Sequence, residues 1–171
     1  MSYLVRKSRE IVDLDVDELI DDLNKALADE WLAFYQYWVG AKVIEGPMRV
    51  IVEPELKEHA EEELEHAEKL ADRISQLGGD PLLEPSKWFE ETNCGYSAPE
   101  DSHVRPILEQ NIEGERCAID TYKELIDKVK GKDEVTRALL LDILKDELEH
   151  EEELADFKDD MNMMGYTHGN K

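Results

Sequence analysis

The sequence predicts an all-α fold, an antiparallel bundle of four long helices. Three observations lead there. Apolar residues recur at alternating three- and four-residue spacing through four long segments, strand-like alternation is nearly lacking, and Gly and Pro punctuate the chain where the segments end. At 171 residues and 41% hydrophobic content the chain suits one domain with a sizeable core. It divides into an N-terminal extension over 1–14, the bundle over 15–164 and a flexible tail over 165–171.

The first long helix is expected from about Asp15, where Asp15-Val-Asp-Glu18 resembles a capping box, to about Ile44, ahead of Gly46-Pro47. The second opens near Pro54 among acids and stops at Gly78-Gly79-Asp80-Pro81. The third runs from about His103 to Lys130, with Pro106 tolerated in its first turn. Gly131-Lys132-Asp133 then turns the chain into the fourth, which reaches about Met164. Short links make the first and second helices, and the third and fourth, antiparallel neighbours, whereas Gly78 to Ser102 is long enough to cross the bundle's length. Within that crossover Pro85 to Glu91 reads as a short extra helix with Ser86 near its cap.

Charge narrows the function classes. The net charge is -23, from 43 acids against 20 bases, which disfavours binding to nucleic acid phosphates or an anionic membrane. No segment approaches the ~18 apolar residues of a membrane span. Met1-Ser-Tyr-Leu-Val-Arg-Lys-Ser-Arg carries no apolar stretch behind its basic residues, so neither a signal peptide nor an anchor is read there and a cytoplasmic location is expected. Cations are the natural partners. Most of the acids read as a solvated surface, and the informative ones are those that are not.

Those emerge from the core stripes. The first helix presents Leu19, Leu23, Ala26, Glu30, Ala33, Tyr37 and Ala41, and the second Leu56, Ala60, Glu63, Ala67, Leu70, Ile74 and Leu77, with His66 one turn after Glu63. The third presents Leu108, Ile112, Glu115, Ile119, Tyr122, Ile126 and Val129, and the fourth Leu140, Ile143, Glu147, His150, Leu154, Phe157 and Met161. Every stripe holds a glutamate near its middle and none holds Lys or Arg. Facing buried carboxylates must be protonated, paired with bases or bound to cations. Two divalent ions balance four carboxylates, and His66 and His150 each supply a neutral nitrogen, which makes a carboxylate-bridged two-metal site.

Spacing supports this. Glu63-Leu-Glu-His66 and Glu147-Leu-Glu-His150 both set Glu and His one turn apart. Glu30 to Glu63 spans 33 residues and Glu115 to Glu147 spans 32, while Tyr37 and Tyr122 each follow their glutamate by seven, so the halves look like two copies of one helical hairpin. In helices this acidic one Glu-x-x-His pair arises readily by chance; two pairs, four stripe-centred glutamates and matched intervals do not. The set is that of ferritin-like di-iron and di-manganese carboxylate bundles.

Ala28-Asp-Glu30-Trp-Leu-Ala-Phe-Tyr-Gln-Tyr37 resembles the first-helix segment of bacterioferritins, and Glu63-Leu-Glu-His66-Ala67 and Asp146-Glu147-Leu-Glu-His150 resemble their two ligand motifs. The resemblance spans most of residues 15 to 160. It implies Glu30, Glu63, His66, Glu115, Glu147 and His150 as the catalytic metal ligands of two iron ions per subunit, with Glu63 and Glu147 as bridges. Manganese shares this ligand set. Glu62 and Asp146 take positions that orient the histidines. Leu64 stands where the haem-ligating methionine of bacterioferritins would lie, so haem is not expected, and Gly165 to Lys171 is too short for a fifth helix. The chain therefore looks closer to the Dps-like branch called thioferritins, which pairs a bacterioferritin-type site with a small cage and two cysteines.

On their own, Cys94 and Cys117 read as ordinary reduced thiols, the helical one small and buried. The resemblance implies instead a redox-active pair or disulfide near the metal site. His59, one turn before Glu63, is expected to be a partly solvated helix histidine, with an iron access path as the sharper alternative. Tyr37 and Tyr122 read as core aromatics whose hydroxyls bond ligands, Tyr37 as an electron donor being the alternative there, and Trp31 and Trp38 as packing residues. His168 in the tail is given no role.

The function expected is oxidation of Fe(II) by hydrogen peroxide or dioxygen, with storage of the product in a homo-oligomeric cage, implied to be a dodecamer, as protection against oxidative stress. No direct DNA binding and no membrane partner are expected. A non-storing di-metal peroxidase or a manganese catalase-like enzyme is the alternative, and a metal-free structural bundle the third reading. Rubrerythrin is disfavoured because no Cys-x-x-Cys is present.

Overall fold

The fold is a computed structural model that describes residues 6–165. The tail expected over 165–171 lies, beyond Gly165, outside the described residues, as does His168. In chain order the elements are α1 (Lys7–Glu10), α2 (Val16–Val43), α3 (Arg49–Gln76), a 3-10 turn (Pro85–Lys87), α4 (Trp88–Glu91), α5 (Val104–Val129) and α6 (Glu134–Met163). The bundle is α2, α3, α5 and α6, two helical hairpins joined by the crossover that carries α4. None of these helices is long and apolar enough to cross a membrane.

Local chemistry fixes most of the ends. Asp15 caps α2 by accepting from the amides of Asp17 and Glu18 at 3.0 and 3.2 Å, satisfying two of the donors that a helix start leaves open. Asp133 does the same for α6, accepting from Val135 and Thr136. The α3 boundary differs from expectation: the helix begins at Arg49, with Met48 in the left-handed region at φ 67° before it, and Pro54 lies inside. Pro54 forfeits one backbone hydrogen bond. The added turn carries Val52, fully buried, into the apolar cluster with Ile44, Val104 and Ile107. In the crossover the short helix is present, but Ser86 sits within the 3-10 turn and no side chain caps it.

One element was not foreseen. The helix α1 lies against the C-terminal end of α3, where Arg9 Nη1 donates to the Leu77 carbonyl at 3.0 Å, and Arg6 and Ser8 donate to the carbonyls of Ser75 and Gln76. These carbonyls lie in the last turn of the helix, where acceptors are left open, and the basic side chains also meet its negative dipole.

The core has two apolar clusters. One gathers Leu19, Leu23, Leu70, Ile74, Tyr122 and Leu140, among others, and the second Tyr37, Leu56, Leu108, Ile112, Leu154 and Met161. Between them lies a polar layer. Near one end, Arg73 is 3% exposed and clamps α3 to the start of α6, donating to both carboxylate oxygens of Asp133 at 2.8 and 3.1 Å and to Thr136 Oγ1 at 2.8 Å. Burial pushes Asp133 up, but its bonds to Thr136 and Arg73 outweigh that and hold the carboxyl below its ordinary value. The crossover is tied twice: Asp29 accepts from the amides of Asn93 and Cys94 and from Thr92, and a disulfide joins Cys94 to Cys117 of α5, with Cα atoms 5.7 Å apart.

Two outcomes are expected. Arg73→Ala leaves Asp133 buried without its partner and should lower the unfolding free energy by about 3–5 kcal/mol, read as a lower urea midpoint at pH 7. Because the Asp133 carboxyl is depressed, this contribution is present above its unfolded value of 3.8 and is lost as pH falls through the lower folded value. The disulfide closes a sequence separation of 23 residues, so reduction should cost roughly 3 kcal/mol by loop entropy. Dithiothreitol should lower the midpoint of the native chain and leave a Cys94→Ser/Cys117→Ser variant unmoved.

Candidate metal centre

The polar layer collects all six residues that the core stripes and Glu-x-x-His motifs singled out. Glu30 comes from α2, Glu63 and His66 from α3, Glu115 from α5, and Glu147 and His150 from α6, and none is more than 3% exposed. Each helix places its glutamate at stripe centre, so α-helical periodicity alone aims the four carboxylates at the bundle axis.

The geometry is two overlapping sets. His66 Nδ1 lies 3.2 Å from Glu63 Oε2, 3.4 Å from Glu147 Oε1 and 3.5 Å from Glu30 Oε2. His150 Nδ1 lies 3.5 Å from Glu63 Oε1, 3.5 Å from Glu147 Oε2 and 3.9 Å from Glu115 Oε1. Glu63 and Glu147 thus each present one oxygen to either imidazole, while Glu30 serves the His66 side and Glu115 the His150 side. In each set of four, one ligand atom per residue lies within 4.8 Å of the others. Four atoms that point into this space have no hydrogen-bond partner: Glu30 Oε2, Glu63 Oε1, Glu147 Oε1 and His150 Nδ1. Buried polar atoms of this kind fit a cation bound among them.

A surrounding layer orients the six. His66 Nε2 meets Asp146 Oδ2 at 3.3 Å and His150 Nε2 meets Glu62 Oε2 at 2.7 Å, so each imidazole is fixed from behind by a carboxylate of the facing helix. Tyr37 donates its hydroxyl to Glu115, and Tyr122 donates to Glu30. Burial, then the neighbouring carboxylates, pushes both phenols well up, so they remain donors.

Burial first, then Glu147 and Glu63, pushes Glu30 and Glu115 well above the ordinary carboxyl value. Burial works against charge on Glu63 too, but the adjacent His150, His66 and Glu30 outweigh it and hold this carboxyl far down. Burial likewise opposes charge on the imidazoles, yet the surrounding carboxylates raise His66 strongly and push His150 up to about 12.

Among the described residues, openings approach the centre from different sides. One, about 240 Å³, is lined by Glu30, Glu63, Glu115 and Glu147 and also by Cys94 and Gly95, so it joins the centre to the crossover and its disulfide. The other, about 100 Å³, lies between α3 and α6 and is lined by His59, His150 and carboxylates that include Glu55, Glu62 and Glu153. Partial burial, then the adjacent Glu55, pushes Glu153 up to about 7. His59 corrects the expectation of a partly solvated residue: it is 0% exposed, stacked on His150 at 4.1 Å, and burial drives it down to about 3. Its spacing from Glu55 and Glu63, one turn each way, was the legible signal. Asp29 was missed as the anchor of the crossover, because its position off the core stripe marks it as surface.

Residues 20–164 match the Ferritin family, described as a ferritin-like domain. The chain is 31% identical over 147 residues to the DNA protection during starvation protein of Pyrococcus furiosus, an alignment covering 85% of this chain and 80% of that one. It is 30% identical over 136 residues to bacterioferritin of Brucella melitensis, covering 78% of each. Among solved structures, the dodecameric thioferritin of Bacteroides fragilis, a bacterioferritin-related protein, superposes with a TM-score of 0.91 at 48% identity, over 93% of this chain and 96% of that one. Dps from Thermosynechococcus elongatus, at 18% identity and a TM-score of 0.78 over 82% of this chain and 90% of that one, shares the fold.

Proposed function

The chain belongs to the ferritin-like family, and from that premise we propose that it is a ferroxidase of a Dps-like storage cage, oxidising Fe(II) at the dinuclear centre and retaining the product. The observation that carries the reading is the pair Glu63 and Glu147, each turning one oxygen toward His66 and the other toward His150. That is what two cations sharing two carboxylates require. Glu30, Glu63, His66 and Glu147 hold one Fe(II), and Glu63, Glu115, Glu147 and His150 hold the other. Four carboxylates cancel the charge of two divalent ions, so the loaded layer is neutral inside an apolar bundle. Manganese fits the same donors.

The chemistry is supplied by the iron: two Fe(II) give up one electron each, and one hydrogen peroxide takes both, with two protons, to become two waters. Dioxygen taking the same two electrons and two protons gives hydrogen peroxide. The protein's part is positional. Asp146 and Glu62 hold the outer nitrogens of His66 and His150, which leaves each Nδ1 to face the ions. Tyr37 and Tyr122 keep Glu115 and Glu30 from rotating away. The apolar clusters on either side limit water to the openings.

Assembly as a dodecamer is supported by the thioferritin likeness. Protection of DNA by removing iron and peroxide needs no contact with it, and a net charge of -23 opposes such contact.

Metal-free protein mixed with Fe(II) well beyond two ions per chain and then with hydrogen peroxide should give fast ferric absorbance and many irons retained in one large particle. Retention of about two metals per chain with continued turnover would show a non-storing enzyme instead. Glu63→Gln/Glu147→Gln should bring oxidation down to the rate of free Fe(II); an unchanged rate would overturn the proposed centre. Loading should also displace protons from the layer, because ligands bind cations in their deprotonated forms. A pH-stat titration with Zn(II) measures this, and apparent affinity should rise with pH.

A further inference from the structure

We propose that the opening between α2 and α5 is the path by which hydrogen peroxide reaches the centre, with Gly114 keeping it clear and the amides of Gln36 and Asn111 handing the peroxide inward. The use of the path rests on the ferroxidase reading; access through it does not. The opening, about 240 Å³, runs from an exposed rim at Gly95 and Ser97 to a floor made by Glu30, Glu63, Glu115 and Glu147. Neither imidazole of the centre lines it, so it meets the layer on its carboxylate side, whereas the opening between α3 and α6 ends on His150.

The wall between rim and floor is neutral. Beyond the four floor glutamates the acids that line the opening are Asp29 and Glu113. Asp29 accepts from the amides of Asn93 and Cys94 at 2.8 and 2.9 Å, and Glu113 pairs with Arg116 at 3.1 Å. What is left is Ala33, Gln36, Asn111, Gly114 and Ala118. Such a wall cannot replace the water around a cation, whose dehydration is costly. Hydrogen peroxide is uncharged and loses only hydrogen bonds, and an amide, which both donates and accepts, replaces them. Gln36 Nε2 donates to Asn111 Oδ1 at 3.3 Å, and Asn111 Nδ2 donates to the Ile107 carbonyl at 2.8 Å, so the pair is anchored to the α5 backbone. The opening between α3 and α6 is lined by acids and histidines alone, which is the contrary environment.

Gly114 is the second observation. It lies inside α5, where glycine costs a helix stability relative to alanine. Its backbone is outside the left-handed region, and a Cβ there would meet only the Gln36 amide nitrogen, at 3.4 Å. A Cβ at Gly40 would instead meet Ile107 and Leu56, at 3.5 and 3.8 Å. Neither conformation nor close packing therefore asks for glycine at 114; the space beside it is the opening. Counting from Glu30 and Glu115, the pseudo-twofold counterparts of Gly114, Asn111 and Gln36 are Asp29, Ala26 and Thr121. In that half the crossover lies over the face, because Asp29 binds Asn93 and Cys94, and Cys94 Sγ lies 3.8 Å from Thr121 Oγ1. One half of the face is covered, and Gly114 leaves the other open.

Two plugs test the path from separate helices, Gly114→Leu on α5 and Ala33→Leu on α2, with Gly114→Ala as the control that adds no bulk to speak of. Each protein is loaded anaerobically with about two Fe(II) per chain and mixed with limiting hydrogen peroxide or, separately, with nitric oxide, a neutral probe that binds Fe(II) and reads access without peroxide. Zn(II) counts show whether the ligands are intact. Both plugs should slow both reactions severalfold at native Zn(II) counts, and Gly114→Ala should follow native protein. A plug with a native Zn(II) count and native rates overturns the path. Gln36→Leu should slow peroxide and leave nitric oxide at its native rate; equal slowing of the two, or none, removes the amide role. If the plugs slow nitric oxide while native protein oxidises Fe(II) no faster than free Fe(II) in peroxide, the path stands and the ferroxidase reading falls.

Discussion

The rest of the structure answers to one constraint: four carboxylates and two imidazoles are held at the bundle axis, each at most 3% exposed. Like charges this close and this dry repel strongly, and the cost can be met only by protons or by cations. Burial and the crowded carboxylates push Glu30 and Glu115 up, and the same carboxylates outweigh burial to push His66 and His150 up. One buried oxygen each of Glu30, Glu63 and Glu147 has no hydrogen-bond partner among the described residues. A layer so arranged costs stability in return for a site whose groups need not move far when an ion arrives. The apolar clusters above and below supply the stability that the layer lacks.

The hairpins hold each other's buried carboxylates and imidazoles. Tyr37 of the first hairpin donates to Glu115 of the second, and Tyr122 of the second donates to Glu30 of the first. The histidines repeat the exchange, His66 bonding Asp146 and His150 bonding Glu62. Neither hairpin can therefore present a complete centre alone. The clamp of Arg73 on Asp133 and the tie of Cys94 to Cys117 keep the hairpins and crossover in register for that exchange.

The parts of this that depend on helical periodicity were legible in the sequence. Stripe counting puts Glu30, Glu63, Glu115 and Glu147 at one level, and the one-turn Glu to His spacing adds both imidazoles, because a long helix transmits its register rigidly. Contacts that cross between elements were less legible. Pro54 reads as a helix start, yet α3 begins at Arg49, since burying Val52 offsets one lost hydrogen bond. The helix α1 is too short to declare itself by periodicity, and its place follows from three side chains that donate to carbonyls at the end of α3. His59 has the spacing of a stripe residue, but its burial depends on His150, 91 residues away in the chain.

The same reasoning separates what the two hairpins share from what they do not. Positions that face the axis match in kind: Glu with Glu, His with His, Tyr with Tyr, and Glu62 with Asp146 behind the imidazoles. Positions one layer out diverge. His59 stands opposite Ile143, and Cys117, two residues after Glu115, stands opposite Leu32, two residues after Glu30. The matched positions are bound by charge balance, because changing one leaves the others uncompensated in a dry layer. The diverged positions are free of that coupling, so each can change how solvent reaches the centre without unbalancing it. An acidic, histidine-floored opening on one side and a disulfide-bordered one on another are what that freedom permits.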